Sequence, residues 1–505
     1  MTANRPVESP RCVRAMMPRA RVAQRGWGDR SLRDRLRVVR RFRAILAQSL
    51  EPVGAELAEV RRRPVAEVLT SELLPLLDAC RFLERGAARV LAPRGAGIWG
   101  RPSWLVGARA EVRREPLGVV LVLGPGNYPL FLPACQVLQA LVAGNTVVFK
   151  PAPGTSPVAR RLAMLLAAAG LPEDGMQVAG ESVEEARALL REGADKVVLT
   201  GSAETGRSVL SVLADSLTPA TMELSGADLM VVRADADLRL AAGALAYGLT
   251  LNGGATCIAP RRVWVSNRVL APFTQELRRE FSTRETIHLE DGLAGRLRPL
   301  LAEAQHLGAR LVTGRITEDS IAGPLVIADL PVASPLWHEP VFGPVALVTG
   351  YTHESEVVAF ARESEWALGA SIFSREEKAA RRLADRLPVG VVTLNDVIVP
   401  TADPRLPFGG RRSSGFGRTR GLEGLLEMTA SKVISVRRGT WRPHFGPANG
   451  LERWLPPILR VVHADGIRSR LAGLRELLKR IPVLGRERTP QPDSSGPLKP
   501  DPQTS

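Results

Sequence analysis

Cysteine is scarce in this chain, and its scarcity excludes two classes of protein at once. Only Cys12, Cys80, Cys135 and Cys257 occur in 505 residues, widely scattered, with no CxxC pair and no metal-ligand spacing. That argues against a disulfide framework and against a metal site, and for a reducing compartment. Lysine is also rare for so basic a protein. Lys150, Lys196, Lys378, Lys432, Lys479 and Lys499 are the full set, and arginine supplies the rest of a formal net charge of +16. No interleaved aromatics, zinc-finger spacing or RNA-binding signature accompanies the arginines, so no nucleic-acid partner is expected. Long apolar runs are missing as well. The longest, around Leu130 to Val142, is interrupted by Pro133 and Gln136 and is too short to span a bilayer. No apolar segment of signal-peptide type follows Arg11, Arg14 and Arg19, and the expected location is the cytoplasm.

What is present alternates between two periods. Leu32, Leu36, Val39, Phe42 and Leu46 fall on one helical face behind Ser31, with Asp34 placed to cap, and more helix is expected through Leu69 to Leu91. Residues 108–114 alternate like an exposed strand. From Gly118 the texture changes: Val119–Leu123, Thr146–Phe149 and Val197–Leu199 are short β-branched runs of the buried, parallel-sheet type, separated by helical stretches such as Val158 to Ala169. A second alternating region runs from about Leu229 to Gly421, with strand candidates at 262–265, 345–349, 370–373 and 390–394. The fold class is therefore α/β with doubly wound sheets. Residues 485–505, rich in Pro, Ser and charge, read as disordered.

Two segments carry chemistry when taken together. Asn252-Gly253-Gly254-Ala255-Thr256-Cys257-Ile258-Ala259-Pro260 presents a cysteine beside two glycines, and Thr221-Met222-Glu223-Leu224-Ser225-Gly226 presents a carboxylate 34 positions earlier. A thiolate nucleophile and a separate general base suffice for covalent catalysis through a thioester. Alone, Cys257 would be read as an apolar filler, which is what most free cysteines are. Three strand ends add parts. Thr200-Gly201-Ser202 through Gly206 follows a buried strand and opens a helix, a place where backbone N–H groups receive a pyrophosphate, although many strand–helix turns contain glycine. Asn127, in Gly124-Pro125-Gly126-Asn127-Tyr128-Pro129, can offer its amide to an oxyanion or simply make a turn. Lys150 ends a third strand as a cofactor contact or an edge cation.

Over roughly residues 20–440 the chain resembles the aldehyde dehydrogenase superfamily. The landmarks come in family order: P-x-N-Y-P at 125–129, V-V-F-K-P at 147–151, T-G-S-x-x-x-G at 200–206, E-L-x-G at 223–226 and the cysteine segment. Glu339 to Val345, Asn395, Leu406 to Gly410 and Ser414 to Arg418 complete them. The resemblance implies two doubly wound α/β domains plus a small β oligomerisation extension. Residues 1–105 and 119–225 would bind the dinucleotide, 226–420 would form the catalytic domain, 106–118 and 421–440 would bridge subunits, and 441–505 would be a basic extension. It implies NAD or NADP as cofactor, a small-molecule aldehyde as substrate, no metal, and a homodimer or homotetramer. Cys257 would attack the aldehyde, the Asn127 amide and the Cys257 N–H would hold the oxyanion, and Glu223 would activate the water that hydrolyses the thioester. Lys150 would meet the adenosine ribose, Gly201 and Ser202 the pyrophosphate, and Phe342 the nicotinamide ribose, with Gly206 and Leu224 also among the cofactor-binding residues.

Four positions depart from the family pattern. Pro153 replaces a glutamate three residues after Lys150, which removes a carboxylate that would repel a 2′-phosphate, so measurable NADP use is expected. Pro340 replaces another glutamate, with Glu339 displaced by one, while Gly126 and Ala255 replace Trp and Gln and widen the tunnel. Two alternatives stand beside oxidation to the acid. A CoA-acylating enzyme is disfavoured by Glu223, and a catalytically weak binding protein is disfavoured by the intact Cys257, Glu223 and Asn127. In the extension, Ile467, Leu471, Leu474, Leu478 and Ile481 recur at helical spacing, ringed by Arg468, Arg475, Lys479 and Arg480. That stripe either packs on protein or makes a peripheral contact with an anionic membrane.

Overall fold

A computed structural model describes residues 10–105, 107–317, 319–440, 442–445 and 450–480. The chain divides into two compact units, one of residues up to Ile98 with Ala110–Ser435, the other of Trp99–Arg109 with the residues from Val436 onward. The proposed disorder at 485–505, and Ile481, lie outside the described residues.

The first unit is built on two sheets. Its six-stranded sheet has the order Gly415–Phe416, Ala220–Glu223, Lys196–Thr200, Val119–Leu123, Thr146–Lys150, Met176–Val178, and every neighbour pair is parallel except the one made by Gly415–Phe416. The β-branched runs at 119–123, 146–150 and 196–200 are buried at every residue, as strands covered on both faces must be. The interrupted apolar run is the enclosed helix Phe131–Ala143, buried throughout and stopped by Gly144 at φ +99°. Leu32–Gln48 is the expected amphipathic helix. The Ser31 hydroxyl accepts the Asp34 N–H at 3.2 Å, and Val38, Val39, Phe42 and Leu46 enter the core.

The eight-stranded sheet has the order Ile287–His288, Ile321–Ala328, Val345–Tyr351, Pro260–Ser266, Asp228–Val232, Gly369–Phe373, Val391–Leu394, with Arg310–Ile316 paired to the second of these. All four strand candidates of this region are strands, three of them longer by one to three residues and the last, Val391–Leu394, shorter by one. A smaller sheet sets Ala108–Pro116 between Arg94–Gly95 and Thr429–Arg437, so the last lies at an edge with most side chains exposed.

In the second unit, Leu451–His463 and Ile467–Arg480 form an antiparallel helix pair turned at Gly466, φ +82°. No helix among the described residues is long and apolar enough to cross a membrane.

Candidate active site

Strand order places the crevice. From Val119–Leu123 the six-stranded sheet grows one way through Thr146–Lys150 and the other way through Lys196–Thr200, so the loops leaving 119–123 and 196–200 turn to opposite faces. The gap between such loops, at the carboxyl ends of the strands, is where α/β sheets bind ligands. Here those loops are Gly124–Pro129, bearing Asn127, and Gly201-Ser202. A cavity of about 1030 Å³ opens there, and Asn127, Gly201, Ser202, Glu223, Leu224, Cys257 and Phe342 all line it.

Glu223 ends the next strand along and is 2% exposed. Burial pushes its carboxyl pKa above the ordinary value, while the Arg420 cation and the Thr419 hydroxyl, 3.3 Å from Oε2, pull the other way. Cys257 comes from the other sheet, just before Pro260–Ser266, and is partly open to the cavity. Its Sγ lies 3.9 Å from Glu223 Oε1, so two residues from different sheets meet at hydrogen-bonding range for sulfur.

The loop that carries the thiol is tied at several points. Asn252 sits in the left-handed region at φ 53°, and Gly253 follows at φ 59°. The Asn252 N–H donates to Glu67 Oε1 at 3.1 Å, and its Nδ2 donates to the Asn127 carbonyl at 2.9 Å. Arg261 Nη2 donates to the carbonyls of Gly254 and Thr256 at 2.7 and 3.0 Å. Asn127 Nδ2 donates to the Ala255 carbonyl at 2.9 Å, and its second N–H remains for a ligand oxygen.

The profile of the aldehyde dehydrogenase family matches residues 2–434. The chain belongs to the aldehyde dehydrogenase family. Its relatives include 4,4'-diapolycopene aldehyde oxidase of Methylomonas sp, 30% identical over an alignment of 467 residues, with 89% of this chain and 87% of that protein covered. Betaine aldehyde dehydrogenase 1 of Rhizobium meliloti (strain 1021) is 32% identical over 85% of this chain and 90% of its own. Among solved structures, NAD-dependent aldehyde dehydrogenase from Sinorhizobium meliloti superposes with a TM-score of 0.80 at 28% identity, covering 87% of this chain and 90% of that one. NADP-dependent glyceraldehyde-3-phosphate dehydrogenase from Bacillus halodurans C-125, complexed with NADP, gives 0.79 at 27%, covering 86% and 92%. This aldehyde dehydrogenase is accordingly an NAD(P)-dependent enzyme with the α/β fold of its family.

The residues present fit a dinucleotide. Helix Ala203–Ser216 begins at the cavity wall, where Ser202, Ala203, Glu204 and Arg207 line the space, an end whose first N–H groups would suit a pyrophosphate. Ser202 also caps that helix, its hydroxyl accepting the Thr205 N–H at 3.1 Å. Gly206 does not line the cavity. A Cβ there would lie 2.9 Å from Leu224 Cδ1, so it lets the helix pack against Leu224. Lys150 does not line it either and ends its strand one position outward, beside the Glu181 carboxylate.

Sequence reasoning missed four side chains here. Arg420 is 6% exposed, stacks 4.3 Å over the Phe408 ring and acts on Glu223 and Cys257 from inside the protein. Arg261 is fully buried, and burial lowers its pKa to about 10. Glu72 is fully buried, pairs with Arg63 and accepts the Leu130 and Phe131 N–H groups at 2.9 and 3.1 Å. Glu181 accepts the Gly154 and Ser156 N–H groups at 2.8 and 2.6 Å. The only sequence signals were their charges.

Burial and the nearby Glu223 carboxylate push the Cys257 thiol well above its ordinary range. A group with a raised pKa keeps its proton to higher pH, so in the free enzyme the thiolate fraction at neutrality is small. Iodoacetamide labelling of Cys257, read by mass spectrometry, is therefore expected to accelerate with pH and still be rising at pH 9, the unperturbed thiol value. A plateau already at neutral pH would show a preformed thiolate instead.

Proposed function

We propose that this enzyme oxidises an aldehyde to the carboxylic acid through a covalent bond to Cys257. The observation that carries the reading is the 3.9 Å approach of Cys257 Sγ to Glu223 Oε1, inside the cavity that Asn127 also lines. The Cys257 thiol gives its proton to solvent and the thiolate attacks the carbonyl carbon. The Asn127 amide and the Cys257 backbone N–H stabilise the oxyanion. When bound, NAD or NADP supplies the acceptor for the hydride that leaves that carbon, with Arg207 and the helix start at Ser202–Glu204 placed for its pyrophosphate. Glu223 then deprotonates the water that releases the acid from the Cys257 thioester. An aldehyde panel spanning small cationic and long apolar members, assayed with each cofactor by absorbance of the reduced form, tests the reading. No turnover with any member would refute it.

Cofactor preference turns on Glu181. Pro153 leaves its own position without a carboxylate, but Glu181, after the neighbouring strand Met176–Val178, brings one to the Gly154–Ser156 turn and to Lys150. A negative charge there opposes a 2′-phosphate while accepting from a ribose hydroxyl. Glu181→Gln is expected to shift the kcat/KM ratio toward NADP by on the order of tenfold. An unchanged ratio would leave Glu181 as a turn-capping residue alone.

The strand Thr429–Arg437 lies at the edge of its sheet with most residues exposed, and such edges pair readily with another chain. It supports a homodimer or homotetramer, which light scattering on the purified chain would check. The scattered free cysteines support a cytoplasmic enzyme.

A further inference from the structure

The helix pair of the second unit turns its apolar residues outward. At about 100° per residue, Leu451, Leu455, Ile458, Leu459 and Val462 form a single stripe on the first helix, each 39% to 51% exposed. Ile467, Leu471, Leu474 and Leu478 form one on the second, 41% to 75% exposed. The line of contact between the helices passes through Pro457 and Gly473. A Cβ on Gly473 would lie 2.8 Å from Arg460 Cβ and 2.9 Å from the Pro457 carbonyl. In each helix the stripe is rotated about 140° from its contact residue, in the same sense. Antiparallel helices seen from one end wind in opposite senses, so equal rotations bring the two stripes to the same side. The pair therefore shows one apolar face, made by both helices.

The charges are arranged around that face. Arg468, Arg475 and Lys479 follow one another along a margin of the second stripe, and no acid shares that margin. Glu476 is turned away and engaged by Arg460 and Arg480. The same unit exposes Trp104 at 71%, a ring that suits the boundary between headgroups and acyl chains. The margin of the first stripe carries one acid, Glu452, held at the Gly450 N–H.

We propose that the helix pair is a peripheral docking element for anionic lipid surfaces, with both stripes set into the headgroup–acyl boundary and Arg468, Arg475 and Lys479 on lipid phosphates. An apolar face with a basic margin binds such a surface through buried apolar area and charge together. Neither helix is long and apolar enough to cross the bilayer, so the element lies in the plane of the surface.

The test is co-sedimentation of the full chain with vesicles of phosphatidylcholine, with and without phosphatidylserine. The wild type is expected to pellet with the anionic vesicles and to be released by salt. Leu471→Asp with Leu474→Asp, and separately Arg468→Gln with Arg475→Gln and Lys479→Gln, should each cut the bound fraction on the order of tenfold. Circular dichroism and turnover of a water-soluble aldehyde should be unchanged in both variants, which establishes that they fold. Wild-type protein left in the supernatant, or equal pelleting by the aspartate variant, would overturn the proposal. So would an aspartate variant that altered only the oligomeric state, because a second copy would then be the occupant.

Discussion

Cys257→Ala is expected to lower aldehyde oxidation by at least roughly 10⁴-fold and to abolish ester hydrolysis with it. Both reactions require an acyl group on sulfur, and Cys80 and Cys135 are buried away from the cavity with thiols that burial holds protonated. Glu223→Gln separates the two halves of the reaction. The amide keeps the shape of the carboxyl and can still receive the thiol as a neighbour, but it cannot take a proton from water. Rapid mixing should show one equivalent of reduced cofactor per site, followed by turnover slowed on the order of 10²–10⁴-fold. Mass spectrometry of the quenched variant should find the acyl adduct on Cys257. Near-wild-type steady turnover in Cys257→Ala would remove the covalent mechanism. A burst absent from Glu223→Gln would mean that Glu223 is needed for attack as well as for hydrolysis.

Glu72→Ala is expected to cost about 3–5 kcal/mol of folding stability. Glu72 is fully buried, and one oxygen takes the Leu130 and Phe131 N–H groups at the start of helix Phe131–Ala143 while the other takes the Arg63 guanidinium. Removing the carboxylate leaves Arg63, itself 8% exposed, with the longer 3.5 Å contact to Glu67, beside two unpaired donors. Arg63 also lies over the Tyr128 ring at 5.4 Å, and the Tyr128 hydroxyl meets Thr256 Oγ1 at 2.6 Å, next to the nucleophile. The variant should therefore lose activity at temperatures where it is still folded. Arg63→Met combined with Glu72→Leu should be less damaging than Glu72→Ala, because no charge is then left buried alone. Urea unfolding of the three proteins decides the order, and a change below about 1 kcal/mol for Glu72→Ala would show that the pair is solvated.

Three central strands of the six-stranded sheet, at 119–123, 146–150 and 196–200, were legible because they are buried on both faces and so carry continuous β-branched runs. The strand at 108–116 was legible for the opposite reason, since half-exposure leaves an alternation. Cys257 and Glu223 could be paired from the sequence only through the order of the motifs around them; neither residue's neighbours say that the two meet. The fixed charges could not be read at all. Glu72 finds Arg63 nine positions away, but it also caps a helix that begins almost sixty residues later, and Glu181 serves a turn 25 positions before it. Arg261 and Arg420 look like any other arginine in a chain full of them, and only enclosure by the fold gives them partners. Helix Pro10–Gly28 escaped notice because its arginines obscure the apolar positions, among them Met16, Met17 and Ala20, that enter the core.

Arg261 joins parts of the site that the chain keeps far apart. Its guanidinium binds the Gly254 and Thr256 carbonyls and stands 5.6 Å from the centre of the Phe342 ring. Gly254, at φ +76°, lies so close to the Gly343–Pro344 peptide that a Cβ would come within 2.5 Å of it. The loop bearing the nucleophile is thus packed directly against the wall bearing Phe342, with no room at position 254 for a side chain between them. Any side chain larger than glycine at 254 would have to push one of them aside, so the spacing between sulfur and ring depends on the absence of a single methyl group.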